Sequence, residues 1–413
     1  MRATTTIGCS HGHGIGSQLR RMAVVQLGAS LVTLTMLGAQ TLPSSPRLSP
    51  VPEAQRTAEQ KAMAEQYASL GMPNFLATYL HYPQLAPMMP HITYVTGQST
   101  LPARQRALLV LRTAWLTRSG YLWGHRVPAA RESGLTADDI TRVARGPDAA
   151  GWDPFEAAVL RAADELIIDS IISDATWKTL SARYDINQLI DTIDTVGALT
   201  MHAGVINSLG IALEADVKDR LPPVPYSVAA KRTNVRLEGR PPRIPPAEPA
   251  PGARGGGANV FRTFNRNPPA DRVRGTMNTH VNNGNALPPR QRELLLMRIG
   301  VLCRSEYEYA AHHRVGRNAG LTEADVARIL AGPDSPGGDP VDTALLRASD
   351  ELFEHVVVSD GTWAALSKSL DTKQLFDVLL TVGGYRSNSM LINSAGVQLD
   401  ANMADYRFPP SLR

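Results

Sequence analysis

The sequence has few cysteines, few aromatic residues and little excess charge, and each shortage excludes a class of protein. Its 413 residues include two cysteines, Cys9 and Cys303, far apart in the chain. A disulfide framework and a cysteine-rich zinc site are therefore excluded. Aromatic residues make up 6% and the formal net charge is +4, without the basic, aromatic-interleaved stripe that single-stranded nucleic acid requires. Nucleic-acid binding is not expected.

Long hydrophobic runs are also scarce. Residues 20–40 place two arginines before an apolar stretch that ends in small residues, which is the layout of an export signal. Gln26, Ser30, Thr33 and Thr35 dilute this stretch, which argues against a stable membrane span. Cytoplasmic residence and export through residues 20–40 are nearly equally supported, with the cytoplasm slightly favoured.

What the chain does contain is an internal duplication. A shift of 186 residues aligns positions 101–216 with 287–402, and 50 of these 116 aligned positions are identical. The matching stretches include LPARQRALLVLR (101–112) with LPPRQRELLLMR (287–298), RAADEL (161–166) with RASDEL (347–352), and INSLG (206–210) with INSAG (392–396). Self-similarity of this extent indicates two copies of one domain.

The copies are separated by a stretch rich in proline, glycine and arginine. We assign residues 1–52 to a leader, 53–220 to the first repeat, 221–256 to a Pro/Gly-rich linker and 257–405 to the second repeat. Because the linker has no apolar periodicity, it has no core of its own. It is expected to contribute little to stability and to be cut first by proteases.

The pattern within each copy is helical. LTEADVARIL (321–330) opens with a threonine cap and a carboxylate three residues on, and TALLRASDELFEHV (343–356) shows apolar spacings of three and four. No run of β-branched residues is bounded like a strand pair. We therefore predict an all-α protein with two tandem helical domains. Duplicated domains tend to keep a two-fold contact, so an intrachain pseudo-dimer is expected, and three such chains could form a ring.

The second copy resembles the carboxymuconolactone decarboxylase and alkylhydroperoxidase D superfamily. The resemblance rests on residues 287–330 and covers both repeats more loosely. In the peroxidase branch, a glutamate is followed twelve residues later by Cys-x-x-Cys, and a histidine lies four residues after the second cysteine. These four positions are occupied here by Glu293, Ser305, Glu308 and His312. Because neither serine nor glutamate can form a disulfide, a thiol peroxidase is disfavoured.

Three ionisable side chains form the candidate catalytic site. Glu308 and His312 are four residues apart and share one helix face, and Glu293 lies in an apolar segment where an unpaired carboxylate is costly to bury. A buried carboxylate next to a histidine is an arrangement that moves pKa values towards neutrality and suits proton transfer. Tyr307 and His313 are candidate substrate contacts, although packing and a surface position are their simpler interpretations.

The first copy has different residues at these positions. Its equivalents of the two glutamates and the histidine are Ala107, Leu122 and Arg126. His125 lies one residue from the aligned position, where an exposed or capping role is the simpler interpretation. The first repeat is therefore expected to keep the scaffold and to have lost the chemistry.

The resemblance implies a lyase that acts on a small carboxylated or lactone substrate without a metal or an organic cofactor. Glu293 and Glu308 would hold or exchange the proton, and His312 would deliver it to the dienolate left by loss of carbon dioxide. The rival hypothesis is a non-catalytic helical binding or assembly module. A pocket at Glu293 and His312 would favour the enzyme, and a filled core there would favour the scaffold.

Overall fold

The structure is a computed structural model that describes residues 42–225, 240–248 and 257–412. These residues form α-helices, short 3₁₀ and π turns and loops, with no strand among them, which confirms the all-α prediction. The export candidate at 20–40 and parts of the predicted linker lie outside the described residues.

The last six helices of the two repeats have the same order. The helices of the first repeat are α1 (Ala58–Gln66), α2 (Pro73–Tyr79), α3 (Met89–Thr93), α4 (Ala103–Leu116), α5 (Gly120–Glu132), α6 (Ala137–Arg145), α7 (Pro154–Asp169), α8 (Asp174–Ser181) and α9 (Ile186–Leu209). Those of the second are α10 (Asn259–Phe264), α11 (Pro268–Thr279), α12 (Pro289–Leu302), α13 (Glu306–Asn318), α14 (Glu323–Ala331), α15 (Pro340–His355), α16 (Asp360–Leu366) and α17 (Thr372–Ala395). Helices α4 to α9 correspond in order to α12 to α17.

Helix starts follow the capping signals in the sequence. The Thr322 hydroxyl accepts a hydrogen bond from the Asp325 amide at 3.2 Å, and the Asp325 carboxylate accepts one from the Thr322 amide at 2.8 Å. The same reciprocal capping box opens α6 at Thr136 and Asp139. Each box satisfies two amides that the first helical turn leaves without partners, so the predicted start of α14 is confirmed.

The long helices α9 and α17 pack directly on each other and join the two repeats. A Cβ atom on Gly197 would lie 2.2 Å from the Ser387 hydroxyl oxygen, and one on Gly383 would lie 2.9 Å from the Met201 Cα. Positions 201 and 387 are themselves equivalent, so the two close contacts are reciprocal. Only glycine permits this approach of the two backbones.

Reciprocal hydrogen bonds extend this contact. The Asn207 side chain donates to the Val356 carbonyl at 3.2 Å, and the equivalent Asn393 donates to the Ser170 carbonyl, also at 3.2 Å. Val356 and Ser170 both have a φ of 56°, a left-handed conformation that is unfavourable for a β-branched residue. The two repeats therefore pack as a pseudo-dimer within one chain, while a ring of three chains stays a prediction.

Two proline-rich segments, 42–51 and 240–248, lie against the helical core and are called straps here. In the first strap, the Arg47 guanidinium donates to the carbonyls of Ser208 and Val358, each at 2.8 Å. Because Ser208 belongs to the first repeat and Val358 to the second, one arginine contacts both repeats.

Arg243 makes the same contacts in the second strap. Its guanidinium donates to the carbonyls of Ile172 and Ser394 at 2.7 and 3.3 Å and lies 5.0 Å from the Trp177 ring. The neighbouring Ile244 is 1% exposed. This packing differs from the expectation that the whole stretch between the repeats contributes little to stability. We propose that each repeat begins at its strap.

Helix α9 also bears on the membrane prediction. It is the one described helix that is long and apolar enough to cross a membrane, and the window that qualifies is fully buried within the protein. Such burial is typical of a core helix of a globular fold.

Replacing Gly197 with alanine should destabilise the protein. The added methyl group would overlap Ser387 on the opposite helix, and overpacking of this kind costs about 1–3 kcal/mol. Gly204→Ala is the matched control on the same helix, because its Cβ would meet nothing closer than 3.4 Å. Removing a helical glycine there should leave stability unchanged or raise it. Denaturant unfolding of both variants would contradict this packing if their midpoints shifted equally.

Candidate active site

The three predicted catalytic residues lie on two adjacent helices of the second repeat. Glu293 is on α12, and Glu308 and His312 are on α13. Their exposed fractions are 0%, 5% and 9%. Gly300 and Gly316 allow the two helices to approach closely, because a Cβ on Gly300 would lie 3.2 Å from the Tyr309 amide nitrogen and one on Gly316 would lie 3.4 Å from the Glu293 Cβ. The sequence therefore buries three ionisable groups together.

The imidazole of His312 stands between the two carboxylates. Its Nδ1 is 2.7 Å from Glu293 Oε2, and its Nε2 is 3.6 Å from Glu308 Oε2. The other oxygen of Glu293 is 3.1 Å from the Arg292 guanidinium. Glu293 thus fixes the ring orientation through one nitrogen and leaves the second nitrogen facing Glu308.

The surroundings separate the pKa values of the two carboxyl groups. Burial would raise the pKa of Glu293, but His312 and Arg292 outweigh it and hold this pKa below its ordinary value. Burial would lower the pKa of His312, yet its hydrogen bond to Glu293 raises it. Burial raises the pKa of Glu308 to about 7; the charge of His312 offsets part of this rise and that of Glu293 adds to it. Near neutral pH, the site can hold both an acid and a base.

Glu308 and His312 form part of the wall of a cavity of about 150 Å³. Its apolar wall includes Val260, Phe261, Phe264, Ala311 and Met403. Its neutral polar groups come from Asn278, Asn282, Tyr307, Tyr385 and Asn388. A concave, partly apolar wall with a few convergent polar groups is typical of a small-molecule site.

Comparison with protein families identifies the domain type. Residues 85–165 and 268–351 each match the model of the carboxymuconolactone decarboxylase family. The chain contains two carboxymuconolactone decarboxylase domains in tandem. The comparisons with curated proteins and with solved structures gave no match.

The two predicted substrate contacts of the second carboxymuconolactone decarboxylase domain lie in different surroundings. Tyr307 lines the cavity, but its hydroxyl donates to the Asp400 carboxylate at 2.5 Å. His313 packs between the rings of Tyr309 and Tyr406, at centroid distances of 5.4 and 5.3 Å, and is not among the residues that line the cavity. The structure therefore brings Tyr307 to the cavity and turns His313 away from it.

Four polar cavity residues, Asn278, Asn282, Tyr385 and Asn388, were missed by the sequence reasoning. The Tyr385 ring lies edge-on to His312 at a centroid distance of 5.0 Å, and the Asn282 amide donates to the Tyr385 hydroxyl at 3.0 Å. Asn388 lies three residues beyond Tyr385 on α17. Comparison of the two copies could have identified Tyr385, because the equivalent residue of the first domain is Leu199.

In the first carboxymuconolactone decarboxylase domain, the equivalent positions hold no carboxylate. Leu122 is fully buried where Glu308 stands in the second domain. His125, the residue next to the aligned position, pairs with Glu214 at 2.6 Å instead. In the first domain, neighbouring residues therefore do not replace the three ionisable groups of the second domain.

Replacing Glu308 with glutamine should change how stability depends on pH. A carboxyl group with a raised folded-state pKa binds its proton more tightly in the folded than in the unfolded chain. The free energy of unfolding should therefore fall as pH rises from the ordinary value of 4.5 to about 7. Glutamine does not ionise, so the Glu308→Gln variant should not lose this stability as the pH rises. The difference in unfolding free energy, variant minus original protein, should therefore increase by on the order of 1–3 kcal/mol between pH 5 and 8.

The control for this prediction is Glu323→Gln at the start of α14. The Glu323 side chain is 78% exposed, so its stability difference from the original protein should stay nearly constant over the same range. Thermal unfolding at several pH values measures both differences. Parallel curves for Glu308→Gln and the original protein would mean that Glu308 ionises normally.

Proposed function

We propose that the second domain is a carboxymuconolactone decarboxylase-like enzyme that performs cofactor-free acid–base chemistry on a small carboxylated or lactone substrate. The observation that supports this proposal is the position of His312, which lies between two buried carboxylates in the wall of a small cavity. Buried titratable groups whose surroundings push their pKa values apart are typical of catalytic acid–base pairs.

Each of the three groups has a distinct role in the proposed reaction. Glu293 stays ionised, accepts the Nδ1 proton of His312 in a hydrogen bond and orients the ring. The raised pKa of His312 keeps an Nε2 proton available near neutral pH. Glu308 faces that nitrogen and, with a pKa of about 7, can return a proton to it after each turnover.

The chemical step is a decarboxylation followed by protonation. The bond between the substrate carbon and its carboxylate breaks, carbon dioxide leaves, and the electron pair remains on the substrate as a dienolate. The Nε2 proton of His312 then moves to the dienolate carbon. Glu308 restores the imidazolium and regains its own proton from solvent, so protons and electrons balance without an added oxidant or reductant.

The cavity supports a small substrate. Its volume of about 150 Å³ is below the roughly 300–1,000 Å³ of sites that hold drug-sized ligands. Phe261, Phe264 and Met403 form an apolar side of the cavity, and in apolar surroundings the field of a nearby charge is stronger than in water. A compact lactone or carboxylic acid suits these dimensions.

Two alternatives receive less support. A thiol peroxidase would need two cysteines where Ser305 and Glu308 stand, and Cys303 is only 1% exposed. A non-catalytic binding or assembly module would not need a histidine between two buried carboxylates beside the cavity. Burying such groups is costly, and catalysis gives a reason for retaining them.

Replacing His312 with glutamine should abolish most of the activity. Glutamine keeps a polar side chain of similar reach but cannot donate a proton to carbon, and loss of a general acid typically lowers turnover by about a hundred-fold or more. The assay is a screen of small carboxylated lactones in which released carbon dioxide is measured for the original protein and the variant.

His125→Gln is the matched control, because it removes a histidine–glutamate pair of similar length, 2.6 Å, from the first domain. Its turnover should remain close to that of the original protein. The assignment would be wrong if both variants lost activity equally, or if His312→Gln kept full activity on the substrate found in the screen.

A further inference from the structure

The first domain holds an arginine where the second holds its catalytic histidine. Arg126 aligns with His312 on the 186-residue shift, and its Nη2 lies 3.1 Å from the Met72 sulfur. Its Nε is buried and has no hydrogen-bond partner within the described part of the chain. Burial lowers the pKa of Arg126 to about 10, so the guanidinium remains charged at neutral pH.

The neighbouring carboxylate does not neutralise this charge. Glu214 accepts hydrogen bonds from His125 at 2.6 Å, from the Tyr121 hydroxyl at 2.8 Å and from the Asn74 amide at 2.8 Å. Within residues 42–225, 240–248 and 257–412, no salt bridge joins Arg126 to an acidic side chain. A buried guanidinium without a counter-ion costs several kcal/mol, and an anion from solution would remove that cost.

A second nitrogen without a partner belongs to the same region. His202 aligns with the cavity residue Asn388 and is fully buried. Its Nδ1 lies 3.4 Å from the Tyr79 hydroxyl, and its Nε2 has no partner among the described residues. Burial, together with the positive charges of His91 and Arg126, lowers the pKa of His202 to about 3. The ring is therefore neutral, and when Tyr79 donates to Nδ1, Nε2 carries the proton and is a free donor.

The replacements around these two residues all remove negative charge. Ala107 and Leu122 stand where the second domain has two glutamates, so nothing in those positions repels an anion. Arg126 is only partly buried as a residue, although its Nε is buried.

We propose that the first domain binds a small carboxylate through the Arg126 guanidinium and the His202 Nε2–H, in the place that the second domain uses for catalysis. The planar guanidinium presents paired donors that match the two oxygens of a carboxylate, and the histidine supplies a further donor. On this account, duplication turned one copy of an acid–base site into an anion-binding site. The proposal does not depend on the reaction of the second domain.

The test is thermal unfolding of the full chain in increasing sodium acetate, with sodium chloride added to hold the ionic strength constant. Acetate that binds only the folded state should stabilise it by RT ln(1 + [acetate]/Kd), where Kd is the dissociation constant. The unfolding temperature should therefore rise steadily as the acetate concentration increases. Acetamide, the uncharged analogue, should give no such rise. An equal rise with acetamide would overturn the proposal, as would no rise with acetate.

Variants locate the site. Arg126→Leu should abolish the rise in unfolding temperature that acetate causes. Without acetate, this variant should be at least as stable as the original protein, because the substitution removes an uncompensated buried charge. His312→Gln, in the second domain, should keep the full acetate effect.

If Arg126→Leu does not fold, Arg126→Lys serves instead. Lysine keeps the charge but loses the paired donors, so the acetate concentration needed for a given rise should increase by about tenfold or more. A rise kept by the Arg126 variants, or one lost only in His312→Gln, would overturn the assignment.

Discussion

The close contact of α9 with α17 is the constraint on which the rest of the structure depends. Gly197 and Gly383 let the two backbones meet, so the repeats share one hydrophobic core across their pseudo-two-fold axis. Tyr385 and Asn388, which line the cavity, lie on α17 just beyond Gly383. The contact that joins the repeats therefore also fixes one wall of the candidate site. Because the interior is closely packed, the position of α17 also constrains the position of His312.

The two domains manage buried charge in opposite ways. In the second domain, His312 is compensated by Glu293 at 2.7 Å, and burial raises the pKa of Glu308 to about 7. In the first domain, Arg126 has no carboxylate partner among the described residues. Since α4 to α9 correspond in order to α12 to α17, the difference arises from a few side chains on a shared scaffold. Fold alone therefore says little about what each copy does.

Much of this arrangement could be predicted from the sequence because it is local or repeated. The duplication, the helices and the cap at Thr322 follow from short-range patterns, and the spacing of Glu308 and His312 places them on one helix face. The contact of His312 with Glu293 required the resemblance, since nineteen residues and a turn separate them. Tyr385 and the strap residue Arg243 were missed, because their roles arise only when distant segments meet and proline-rich sequence carries no periodic signal.

The central claim is that the second domain holds an acid of near-neutral pKa beside a fixed imidazolium. It is tested most directly by an NMR titration of protein with ¹³C-labelled glutamate side-chain carboxyls, in which the Glu308 signal is assigned by its loss in Glu308→Gln. The account predicts that this carboxyl titrates near pH 7, while Glu293 titrates below its ordinary value of 4.5. If Glu308 titrated near 4.5, like an exposed side chain, the group proposed to restore the proton would already be ionised at neutral pH, and the account would be contradicted.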